Sequence, residues 1–148
     1  MAWQAKRSRT LQEDFELVDE NGNVVHTIHV SLDADDMTVK ISRKYTALVR
    51  AMSETTEMKR KAESAEELEN CMEKLGQAVI DMLEAVFGEE DTKTIVEFYE
   101  NRYIEMSREV LPFISQVVIP RMQELAAENR KSIRQKYNRK TRRRLGLI

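Results

Sequence analysis

Few side chains in this 148-residue sequence have the type and spacing that chemistry demands. His26 and His29 fall three apart in an alternating segment, which sends them to opposite faces of a strand. They cannot jointly grip a metal. The expectation is one half-buried ring, His26, and one solvated ring, His29. The single cysteine, Cys71, sits on the inner stripe of a helix. It reads as a small buried hydrophobe, with no histidine placed to activate it. Asp33, Asp35 and Asp36 resemble the start of a calcium loop, but that loop needs Gly sixth and Glu twelfth, where Thr38 and Lys44 stand. Helix capping explains those acids instead. Glu66-Glu67 and Glu89-Glu90-Asp91 lie on polar faces or in a turn, as charge runs that water solvates. The four glycines are isolated, and no GxGxxG, GxxxxGK, GxSxG or HExxH pattern occurs. The sequence therefore predicts a protein that is not an enzyme, with no catalytic set, no metal and no cofactor.

The distinctive feature is electrostatic. Residues 129–148 carry nine basic side chains and no acidic ones, with Arg139, Lys140, Arg142, Arg143 and Arg144 as the densest run. Lys6, Arg7 and Arg9 add three at the other end. All 26 acidic residues lie between positions 10 and 128, beside 12 basic ones. The body is thus −14 and the two ends together +12, within a net charge of −2. Such a chain suits association with acidic protein surfaces, a second copy of itself, or nucleic acid. No nucleic-acid fold signature accompanies the tail, so nucleic-acid binding is the alternative and less favoured reading.

The elements that must carry these groups follow from periodicity. Leucine, isoleucine, valine and methionine must fill the core, because aromatics are only 6% of the chain. Residues 13–20 alternate, and Val24, His26, Ile28, Val30 and Leu32 share one face, around an expected tight turn at Asn21-Gly22-Asn23. A lone hairpin is marginal in water, so this one must pack on helices or pair with another chain. From Asp35 the period changes to that of a helix, with Met37, Ile41, Tyr45, Leu48 and Met52 on one stripe, capped by Asp33 or Asp35. Residues 53–63 are polar and read as a linker. Ser64-Ala65-Glu66-Glu67 is a capping box for a helix that Gly88 ends. Asp91 is expected to cap the next helix. A last segment from about Ser107 to Lys136 is interrupted by Pro112 and Pro120, with a bend or break expected at Pro120.

The expected fold is α+β, mainly α: an N-terminal β-hairpin, a bundle of three to four helices and a basic C-terminal tail. The division is a flexible arm at 1–10, the hairpin at 11–34, a helical domain at 35–128 and a basic helical or flexible tail at 129–148. Residues 1–10 and 140–148 are expected to be mobile. There is no apolar leader and no run of about 18 apolar residues, so the expectation is a cytoplasmic protein without a membrane span. Met37, Met52, Met72, Met82, Met106 and Met122 fall on or near apolar stripes, either as core filling or as an adaptable binding surface. Leu111, Phe113, Ile114, Val117, Val118 and Ile119, in the segment that runs to Met122, are apolar nearly all round, which makes the segment either a central helix or one left partly exposed for a partner. Leu111, Phe113, Ile114, Val117, Val118 and Met122 are the candidate partner-binding residues, and Val118→Lys is expected to weaken assembly while sparing helicity.

Phe87-Gly88-Glu89-Glu90, Ile95-Val96-Glu97-Phe98-Tyr99, Met106, Leu111-Pro112-Phe113-Ile114 and Ile119-Pro120 follow one another in an order that resembles the tail assembly chaperones of long-tailed phages and prophages of Gram-positive bacteria. The opening Phe15-Glu16-Leu17-Val18-Asp19 through Val24-Val25, and the tail around Asn138-Arg139 with Arg142-Arg143, also fit. The resemblance covers most of the chain and rests on packing residues. It implies a helical, self-associating protein of the bacterial host cytoplasm that takes part in virion assembly. Its implied partners are the tape measure protein, which it coats and keeps soluble, and the tail tube protein, whose subunits it helps recruit. It implies no catalytic residue.

Overall fold

The computed structural model describes residues 2–61 and 64–144, with side chains described as far as Tyr137. Residues 2–10 have no regular secondary structure and lie exposed. β1 (Leu11–Val18) then pairs antiparallel with β2 (Val24–Leu32) in a two-stranded sheet. The inner face places Leu11, Leu17, Ile28, Val30 and Leu32 in the core. The connection is longer than the tight turn expected. The Asp19 carboxylate accepts from the backbone N–H of Asn21 and of Asn23, each at 2.9 Å, and Gly22 takes a φ of 83°. The register shifts between Leu17 and Val18, so Val18 faces Val24. At this end both faces of β2 are exposed, and His26 is solvated rather than half-buried.

α1 (Ala34–Lys61) starts where Asp33 accepts from the Asp35 N–H at 2.9 Å. Its length corrects the expected linker, for residues 53–61 are helical. Thr55 explains this: its side chain is buried against α2 (Ala65–Phe87), donating to the Ala51 carbonyl at 2.8 Å beside the Cys71 carbonyl at 3.5 Å. Packing rather than apolar patterning holds the last turns. The rest of the expected linker, residues 62–63, lies outside the described residues. Ser64 caps α2 as expected, accepting from the Glu67 N–H at 3.3 Å. Gly88 ends α2 and immediately opens α3 (Glu89–Phe98), so Asp91 sits inside the first turn and is not the cap. There it still faces the positive end of the helix dipole.

Glu100 and Asn101, both at positive φ, turn the chain into α4 (Tyr103–Phe113). A π turn (Ile114–Val118) joins it to α5 (Ile119–Arg144) without a break. The break expected at Pro120 is absent, for a physical reason. Met106, Val110, Ile114, Val118 and Met122 repeat every four residues, and each is 1% exposed or less. A straight α-helix repeats every 3.6, so a four-residue stripe would drift off the core. The π turn, closed by the Ile119 N–H donating to the Ile114 carbonyl, takes up more residues per turn and keeps the stripe inward. Pro120 lies just past this widened turn, where the regular hydrogen-bond ladder is already interrupted.

Counting the α4–π–α5 run as one, four helical rods follow the hairpin, and the protein is mainly helical. Buried residues of hairpin and helices form one cluster. Phe15 seats the hairpin on the bundle, its ring centroid 5.3 Å from Phe87 and 4.9 Å from Phe113. Of the stretch expected to be mobile, residues 140–144 are helical and 145–148 lie outside the described residues. Among the described residues, no helix is long and apolar enough to cross a membrane.

Candidate interaction surfaces

The reactive side chains do not converge. His29 lies on the outer face of the hairpin, with Nδ1 2.7 Å from Asp14 Oδ1 and Nε2 2.6 Å from Gln12 Oε1. His26 is exposed near the turn, and Cys71 is half-buried on α2. Glu66, Glu67, Glu89 and Glu90 are exposed in the first turns of α2 and α3. Among the described residues, no group of three or more His, Cys, Asp or Glu side chains is placed to hold a metal ion.

The proline-bounded segment divides into two faces. Ile114, Val118 and Met122 are fully buried, which corrects the expectation that they form a free partner surface. They face the core because they belong to the four-residue stripe that the π turn straightens. A lysine at 118 would bring its charge into that core, so the expected sparing of helicity does not follow. Leu111, Phe113 and Val117 are half-buried; Leu111 and Phe113 pack against the edge of the core, Phe113 within the aromatic triangle. Only this second group retains surface for a partner.

Sequence reasoning missed a hollow of about 570 Å³ between the hairpin loop and the α3–α4 corner. Asp19, Glu20, Glu100, Glu105 and Glu109 give it an acidic wall, with Val18, Phe98 and Tyr99 as its apolar part. Arg102 partly neutralises that wall, 3.3 Å from Glu100 and 3.6 Å from Glu105. Burial raises the Tyr99 phenol above its ordinary pKa, and the Glu109 and Glu105 carboxylates raise it further. The hollow is assembled from residues some eighty positions apart, Asp19 and Glu100 among them, so no local spacing announces it.

The last surface is the far half of α5. Met122 and Leu125 hold its start in the core, and the Asn129 amide donates to Asp35 Oδ1 at 3.1 Å, at the first turn of α1. From Arg130 to Tyr137 every residue is exposed. Arg130, Lys131, Arg134 and Lys136 clothe this stretch, and Ile133 stands 66% exposed among them. The helix backbone continues to Arg144, so the arm beyond Asn129 is roughly 22 Å long at 1.5 Å per residue. The side chains of Arg139, Lys140, Arg142, Arg143 and Arg144 lie outside the described residues. Comparison with protein-family models, with curated proteins and with solved structures finds no match to this chain.

Proposed function

We propose that this chain is a non-enzymatic binding protein of the phage tail assembly chaperone type, which coats the tape measure protein and helps recruit tail tube subunits. The carrying observation is the α5 arm, a cationic helix continued well past its last core contact with Ile133 uncovered. A free helix of that length gains little on its own and becomes stable by lying along another helix. A long helical partner with an acidic flank fits it. The half-buried Leu111, Phe113 and Val117 offer apolar surface on the same helical run.

The test is co-expression with the tape measure protein encoded in the same genome. The expected result is a tape measure protein that stays in the soluble fraction and co-purifies with this chain, with a loss of binding on truncation after Glu128. A tape measure protein equally insoluble with and without the chain overturns the reading. The exposed cations of the arm also favour nucleic-acid binding as a second reading. DNA binding that falls steeply with salt and disappears on the same truncation, with no effect on the tape measure protein, would establish that reading instead.

A further inference from the structure

We propose that the outer edge of β2 is a self-association edge, along which two copies pair β2 against β2 and build a four-stranded sheet. The hairpin stands alone among the described residues, so β1 occupies one edge of β2 and no strand occupies the other. An open edge presents a row of backbone donors and acceptors, and proteins ordinarily guard it with charge, proline or a bulge. β2 carries no charged or proline guard; its one irregularity is the register shift opposite Leu17 and Val18, which leaves Val25 without a partner on β1 and is confined to the first residues of the strand. From Val24 to Leu32 it reads Val-Val-His-Thr-Ile-His-Val-Ser-Leu, without Asp, Glu, Lys, Arg, Pro or Gly. Its valines, isoleucine and threonine have high strand preference. Both faces are exposed from Val24 to Thr27, so no helix roofs this half of the strand. Val18, Val24 and Val25 leave an apolar patch there, each roughly half exposed.

The occupant follows from charge and symmetry. β1 carries Glu13, Asp14 and Glu16, so β1 against β1 would set carboxylates opposite one another. β2 against β2 brings no like charges together. Antiparallel pairing of a strand with its own copy is self-complementary and closes about a two-fold axis. The product, in the order β1–β2–β2–β1, relieves the marginal stability of an isolated hairpin. The inference is independent of what the α5 arm binds.

Sedimentation of the full chain over a range of concentrations tests it, beside Val25→Lys, Thr27→Lys and the β1 control Glu16→Lys. All three positions are exposed, and circular dichroism confirms that each variant is folded. The expected result is a dimer whose Kd rises at least about tenfold in each β2 variant and stays unchanged in the control. Amide hydrogen exchange in residues 24–32 of the unsubstituted chain should slow as concentration rises. A monomer at every concentration, a dimer indifferent to both β2 lysines, or a dimer with no concentration-dependent protection in β2 overturns the proposal.

Discussion

Ile114→Ala is the sharpest probe of the π turn and of the division of the proline-bounded segment into two faces. Ile114 is 0% exposed and stands in line with Val110 and Val118. A small gap of about 10 Å³ already borders it, between Leu48, Val79, Met82 and Met106, lined almost wholly by apolar atoms. Removing three carbons forfeits about 2.4 kcal/mol of transfer free energy at about 0.8 kcal/mol each. The enlarged void adds to this, because a helix pinned by Pro112 and Pro120 relaxes little. A total of about 3–4 kcal/mol sits within the range for such truncations. For a chain of this size that lowers Tm by roughly 10 °C. Val117→Ala, three residues further along the same π turn but half-buried, should cost under about 1 kcal/mol. Thermal melts followed at 222 nm, with urea titrations for the free energies, compare the two. A larger loss at Val117 than at Ile114 would mean the stripe faces the other way and the four-residue argument is wrong.

Leu75→Asp, Val79→Asp and Val118→Lys each place a charge where exposure is 4% or less, and each should abolish the cooperative melt. Gly88→Ala meets no steric obstacle but forces φ 85°, ψ 170° on a residue with a Cβ, so a loss of about 1–3 kcal/mol by urea denaturation is expected. Tyr99 should ionise above its ordinary pKa in a spectrophotometric titration, and Glu109→Gln should bring it part of the way back. Because its folded pKa is raised, the contribution of Tyr99 to stability is complete below the unfolded pKa and is lost as pH rises through the folded one.

The hairpin was legible because strand periodicity and an Asn-Gly turn are local signals, and Ser64 to Glu67 announced α2 for the same reason. The fully buried helix positions Ile41 and Leu48 were equally legible from their stripe. What escaped depends on contacts distant in sequence. Residues 53–61 are polar and helical because Thr55 is roofed by α2, which no window around Thr55 contains. Pro120 looked like a break because a proline is read against the α-helical ladder, and the π turn had already changed that ladder. The same turn moved Ile114, Val118 and Met122 from expected surface to core. His26 kept its place in the alternation but lies near the turn, where the inner face of the hairpin has nothing to bury against. The acidic hollow unites the hairpin loop with the α3–α4 corner, and only the folded chain brings them together.

The aromatic triangle sets a timetable for synthesis. Phe15 needs Phe87 and Phe113 as its seat, and they follow it by 72 and 98 residues. At a synthesis rate of roughly 5–20 residues per second, the hairpin waits roughly 5–20 s for Phe113 to be made. Until α2 is complete, Ile28 and Val30 lack the helix that β2 packs against, while the uncharged β2 strand is already made. Neighbouring nascent chains on one messenger would then meet strand first. The acids of β1 and of the hairpin loop, Glu13, Asp14, Glu16, Asp19 and Glu20, set like charge beside that strand, and flanking charge of this kind opposes aggregation of an exposed strand.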